Sequence, residues 1–327
     1  MRRALLPLLL LVEVAVFAPQ SGVRFDSLAE FQLTFGWYAT DLLAQAAPLL
    51  VLALGMTIVL MTAGIDLSVG SMVALVACVM STFEGGVSFW YTAVPVGLLL
   101  GLALGFFNGL VIARLDVPPI ITTLGTLIFY RGLCNVVMRG SENAVFAGVP
   151  GYGWFGEPLG GGLVAGGILM LVGGWFGMSR WRREILMLGG NRVAARYAAI
   201  PVERRTLQVY TLMGLIAFVA AVLASAKFGS VTASWQRGLE LQVIVAVVLG
   251  GTRVDGGAGS IVGSILGVFL ISVLEEGLRG MALSDLRPIL LGTLLVVGVW
   301  LNTHGGWMWR RVTTTKGTTG SPSAEWR

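Results

Sequence analysis

Ten apolar runs partition this chain, near 4–18, 46–62, 69–82, 91–113, 119–138, 162–178, 207–226, 239–251, 258–274 and 288–301, with short polar connections between most of them. So many greasy segments fit no water-bounded core. In hydrocarbon each must satisfy its own backbone polar groups, which leaves the helix as the local structure. The composition agrees: 56% hydrophobic and 12% charged residues, with a mean hydropathy of +0.84, against about 25% charged in soluble proteins. The expected class is an all-α, polytopic membrane protein. Several runs fall short of the roughly 20 residues that cross about 30 Å of hydrocarbon. The count is therefore read as about ten, within eight to ten, with broken or re-entrant helices among them.

A net charge of +5 invites a nucleic-acid reading, but no basic stripe is interleaved with stacking aromatics. The charge fits topology better. With the N-terminus inside, ten crossings put most of the 22 basic residues in the cytoplasm, as the positive-inside rule requires. The loop over 179–206 contributes most of this, through Arg180, Arg182, Arg183, Arg192, Arg196, Arg204 and Arg205. Both termini are then cytoplasmic. The opening Met1-Arg2-Arg3 and its apolar run also read as a cleaved signal peptide, although Glu13 within the run argues against it. One membrane domain is expected over 1–310, with 179–206 as a cytoplasmic loop and 311–327 as a disordered, Gly/Ser/Thr-rich tail.

No catalytic centre is expected. Cys78 and Cys134 lie in apolar runs without C-x-x-C spacing, and the single histidine, His304, follows the last run, so no metal site is indicated. Neither a serine elbow nor an H-E-x-x-H motif appears, and there is no G-x-x-x-x-G-K-[ST] phosphate loop.

The polar residues inside the runs carry the functional signal. Asp66, in Gly64-Ile65-Asp66-Leu67-Ser68-Val69-Gly70-Ser71, stands between two runs at a cost of roughly 3 kcal/mol or more unless it meets water or a partner. Val254-Asp255-Gly256-Gly257-Ala258-Gly259-Ser260-Ile261-Val262 aligns with Ile65 to Val73, which suggests an internal repeat with both copies in the same orientation. Two readings stand together. Asp66 or Ser68, and Asp255 or Ser260, cap helices that begin at chain breaks; or these broken ends, with Ser71, line a polar path through the membrane. Phe107, Asn108 and Thr123 join the path candidates, with hydrogen bonding between helices as the plainer reading.

Two four-residue glycine ladders, Gly101, Gly105, Gly109 and Gly259, Gly263, Gly267, read as seams for close helix packing. In the basic loop, Gly189-Gly190-Asn191 signals a helix start and Pro201 a stop, leaving about two turns of helix over 192–199. So short a helix is marginal in water and needs a surface to rest on, either a soluble partner or lipid headgroups.

These residues together resemble the integral-membrane permease subunit of bacterial ABC sugar importers of the ribose, xylose, rhamnose and autoinducer-2 type. The likeness rests on the Gly64 to Ser71 box, Phe107-Asn108-Gly109, Val117-Pro118-Pro119, Thr123-Leu124-Gly125-Thr126, Arg131-Gly132, Gly189-Gly190-Asn191 with Ala194-Ala195, and Val248-Leu249-Gly250-Gly251 through Gly259-Ser260. It implies a bacterial inner-membrane protein working as a homo- or heterodimer. Cytoplasmic ABC ATPases would hold ATP and Mg, with no cofactor in this chain, and a periplasmic sugar-binding protein would deliver the solute. It also implies that Gly190, Asn191, Ala194, Ala195, Tyr197, Ala198 and Ile200 form the coupling helix that docks on the ATPase. Ala199 stands where many relatives have glycine. A branched-chain amino acid permease of the same superfamily is a near alternative. An ion-coupled secondary transporter, drawing on Glu13, Asp66, Asp255 and Arg131, is a remoter one. The residues do not name the sugar.

Overall fold

The computed structural model describes residues 2–143 and 145–314, with side chains described over 6–143 and 145–300. The described residues are helical, and their one extended pairing is an isolated bridge between Asn143 and Val231. Of the tail expected over 311–327, residues 311–314 continue the last helix, and 315–327, like the His304 side chain, lie outside the described residues.

In chain order the helices are α1 (Arg2–Phe17), α2 (Leu28–Met61), α3 (Val69–Met80), α4 (Ala93–Arg114), α5 (Pro119–Met138), α6 (Pro158–Ile168), α7 (Gly174–Met178), α8 (Arg180–Gly190), α9 (Arg192–Tyr197), α10 (Val202–Phe228), α11 (Leu239–Leu249), α12 (Ile261–Gly280) and α13 (Arg287–Thr314). A π turn over Leu169–Gly173 joins α6 to α7. All ten apolar runs fall on helix. Six segments are long and apolar enough to cross a membrane: Leu28–Met61, Val87–Arg114, Pro119–Met138, Pro158–Met178, Val202–Phe228 and Ile261–Gly280.

The core is built around α2. Its 34 residues reach about 50 Å at 1.5 Å each. From Ala46 onward nearly every side chain is buried on all sides, as befits a helix that is apolar all round. The helix starts 18 residues before its apolar run, because Glu30, Gln32, Asp41 and Gln45 interrupt hydropathy without interrupting helix. Its start is capped by Ser27, whose Oγ accepts the Glu30 amide at 3.2 Å.

Against α2 lies α10, and against α10 lies α4. The α4 face is glycine. A Cβ at Gly101 would stand 2.7 Å from Gly214 O, one at Gly105 2.8 Å from Gly214 Cα, and one at Gly109 3.0 Å from Leu207 Cα. The backbones touch where lipid could drive no association of its own. Gly263 fits in the same way against Gly250, and Gly267 against Ala246, between α12 and α11, while Gly259 rests on Met61 of α2.

Two helices are half-length, α3 with 12 residues and α11 with 11. They meet start to start, since a Cβ at Gly70 would lie 2.9 Å from Gln236 O and 3.4 Å from Leu239 Cβ. Between these starts sits Glu240. Its Oε1 accepts the Gly238 amide at 3.2 Å, and its buried Oε2 makes no hydrogen bond within the chain, a position where both helix dipoles favour negative charge.

Candidate functional site

The chain leaves α2 at Met61, turns through Ala63 in the left-handed region (φ +60°), and reaches Asp66 inside the bundle. Asp66 Oδ1 accepts two bonds from Ser68, one from its amide at 2.9 Å and one from its hydroxyl at 2.6 Å. Ser68 stands at the cap position of α3, but its hydroxyl is given to Asp66 and not to the helix. The network continues. Asn108 on α4 donates to Ser68 Oγ at 2.8 Å and accepts from the Tyr130 hydroxyl of α5 at 3.3 Å. Thr123, also on α5, donates to Ile65 O at 3.0 Å, and Ser71 donates to Ser68 O at 2.7 Å. Every polar member is buried, so the turn, α4 and α5 form one polar knot in a low-dielectric surround. Asp66 Oδ2 alone has no partner in the chain.

The second box is different. Asp255 is largely exposed, its side chain 69% accessible, and pairs with Arg253 at 3.7 Å. Ser260 does cap: its Oγ accepts the Gly263 amide at 3.0 Å to start α12. Gly256 and Gly257 take φ of +82° and +72°, conformations that glycine adopts without strain. They wedge against the end of α2, where the Gly257 amide donates to Met61 O at 3.0 Å. The two boxes therefore lie side by side, at the end of the bundle that carries α8 and α9. Their settings are reversed, for the first precedes a half-helix and the second follows one.

That end is closed by the basic loop. A Cβ at Gly189 would lie 2.8 Å from the Gly257 amide nitrogen and 2.9 Å from Met61 C, so α8 ends directly on the second box and on the end of α2 that leads into the first. Asn191 caps α9 by accepting the Ala194 amide at 2.9 Å, while the neighbouring Gly190 has open space where a Cβ would stand. Ala195 and Val202 are buried with Leu188, and Ile200 packs on them, anchoring α9. Ala194, Tyr197 and Ala198 face outward, Tyr197 being 90% exposed. Ala199 holds φ +56°. Arg196 pairs with Glu203 at 2.8 Å, and Arg205 pairs with Glu184, strapping α8 and α9 to α10.

Phe107 does not share the Asn108 site. It is 46% exposed on the outer face of α4, since adjacent helical residues point about 100° apart. Arg131 donates to Ala233 O at 3.1 Å and Trp235 O at 2.6 Å. The sequence reading missed Tyr130, Tyr210, Glu240 and, as an individual residue, Arg192. Tyr210 is fully buried on α10, with its hydroxyl 2.6 Å from where a Gly64 Cβ would stand. The only sequence signal for the tyrosines was a polar tip within or beside an apolar run.

Comparison with known proteins places these features. Residues 38–299 match the family model described as "Branched-chain amino acid transport system / permease component". The ribose import permease protein RbsC of Escherichia coli K12 is 35% identical over 270 residues, covering 79% of this chain and 82% of its own length. The autoinducer 2 import system permease protein LsrD of Klebsiella pneumoniae is 34% identical over 282 residues, 80% of this chain and 84% of its own. LsrD of Photorhabdus luminescens is 32% identical over 262 residues, 76% and 78% respectively. No solved structure matches the chain.

Proposed function

The chain belongs to the family of binding-protein-dependent transport permeases whose model spans 38–299, and from that premise we propose that it conducts a ribose-like sugar across the inner membrane. It is the permease subunit of an ABC importer and hydrolyses nothing itself. Its relatives of 32–35% identity are named for ribose and autoinducer 2, not for amino acids. This favours a furanose-forming or similarly hydroxylated solute over a branched-chain amino acid.

In this reading a periplasmic binding protein delivers the solute, two permeases stand side by side, and a pair of ATPase subunits below holds ATP and Mg. The observation that carries it is the seat of α8 and α9. Their outward face presents Ala194, Tyr197 and Ala198, and their inner side rests on the end of α2 and on the second box, at Gly189 against Met61 and Gly257. A displacement imposed on α9 is therefore applied where α2 ends and where α3 and α12 are led in. Differential affinity of ATP-bound and ATP-free ATPases for two arrangements of this end suffices to alternate access. Asp66, Ser68, Ser71, Asn108 and Thr123 hold the moving turn on the solute side of that lever. Ser260 starts α12, and Asp255 lies at the exposed rim. Phe107, on the outer face, is available to a second permease copy or to lipid.

The end bearing α8 and α9 is assigned to the cytoplasm. Ten crossings follow, α3 and α11 being half-crossings and α6 with α7 counting as one. The α2–α3 and α10–α11 pairs, each a long helix followed by a half-helix, are better partners for an internal repeat than the two boxes. Reconstitution tests the function. Proteoliposomes holding the chain, its ATPase and its binding protein should accumulate D-ribose only with internal ATP, and should ignore leucine. Uphill accumulation by the chain alone would overturn the reading.

A further inference from the structure

Four buried polar atoms of this region make no hydrogen bond within the chain: Nε and Nη2 of Arg192 and the Tyr210 hydroxyl, whose residues line one cavity, and Oδ2 of Asp66, which Tyr210 reaches electrostatically. A cavity of about 250 Å³ opens between the end of α2, the start of α9 and α10. Its walls include Thr62, Ala63, Gly190, Arg192, Thr206 and Tyr210. The Tyr210 hydroxyl lies against Gly64 and within electrostatic reach of both Asp66 and Arg192. Because these atoms are buried within this chain, no docked subunit can supply their partners. An unmade bond to such a group costs about 1–3 kcal/mol, and buried polar groups are rarely left so.

The polarities are complementary. The guanidinium offers donors only, the carboxylate oxygen only accepts, and a phenol does both. Tyr210 can therefore accept from Arg192 while donating to Asp66, and the cavity leaves room for α9 to move toward the turn. Arg192 is the first residue of α9, so any rigid shift of that helix carries its guanidinium along. Asp66 already holds Ser68, the residue before α3, through its other oxygen.

We propose that Arg192 is a positioning residue of the coupling step: it pairs through the Tyr210 hydroxyl with the free oxygen of Asp66, handing a shift of α9 to the start of α3. The proposal rests on the importer reading.

The test uses the whole permease–ATPase complex in lipid nanodiscs and needs no solute. Leu67→Cys places a thiol within the turn, while the native Cys78 and Cys134 are buried. ATP with vanadate should change the rate of maleimide labelling at position 67 by about fivefold or more, in the range of ordinary allosteric coupling. Adding Arg192→Gln or Tyr210→Phe should abolish that change while the ATPase still co-purifies. Arg192→Lys should restore part of it, and the double variant should be no worse than either single one, as members of one link require. If the nucleotide-driven change persists in Arg192→Gln or Tyr210→Phe, or is missing from Leu67→Cys alone, the proposal is wrong and the importer reading stands. If the unaltered chain binds no ATPase, that reading falls and the proposal with it.

Discussion

At Ala199 the backbone is left-handed, φ +56°, directly after α9. A Cβ there costs roughly 1–2 kcal/mol that glycine avoids. Ala199→Gly is expected to raise stability by about 1 kcal/mol, once the greater freedom of an unfolded glycine is subtracted. Thermal unfolding in nanodiscs should show a higher midpoint than the parent, and Ala199→Val a lower one. The polar knot was partly legible at this scale. Asp66, Ser68, Asn108 and Thr123 announce themselves as polar residues inside apolar runs. Tyr210 and Arg192 do not, because a tyrosine in an apolar run reads as packing and an arginine in a basic loop reads as solvated. Only the return of the chain past Gly64 brings Tyr210 within reach of Asp66, with Arg192 lining the same cavity as Tyr210.

Among the helices, hydropathy located each of the six segments long and apolar enough to cross a membrane but misjudged some of their lengths. It began α2 late, at Ala46, since the polar first half is held by caps and neighbours and not by apolar content. It gave α3 and α11 correctly as short, yet could not show that they meet start to start around Glu240, a tertiary relation with no local signature. The glycine ladder was easier to read, because a four-residue spacing of the smallest residue marks one helix face. Gly105→Val places carbon against Gly214 in a gap with no spare room. Overpacking of this kind costs about 1–3 kcal/mol or more, so the yield of monodisperse protein on gel filtration should fall sharply. Gly125→Ala on α5 is the control, since nothing lies within 4 Å of its added carbon, and its yield should match the parent's.

For the whole molecule, the assignment of sides and the coupling of α9 can be read from one face. Tyr197 is 90% exposed at the tip of that end. Tyr197→Cys should react with an impermeant maleimide in inverted membrane vesicles and stay unlabelled in intact cells; the opposite pattern would reverse the topology. On the same face, Ala194→Asp puts a charge on the small-residue surface proposed as the ATPase contact. Uptake into proteoliposomes should drop by at least about tenfold, a loss near 1.4 kcal/mol of coupling, while ATP hydrolysis continues. Normal uptake by this variant at normal expression would exclude α9 as the contact.

The Gly257 amide and the Met61 carbonyl join stretches of chain that are far apart in sequence. Anyone building a chimaera to retarget this importer inherits that tie as a rule of grafting. Residues 55–71 and 250–263 are best exchanged together as a single cassette, because a side chain at position 256 or 259 in a donor's version would collide with Ala63 or Met61 of the host.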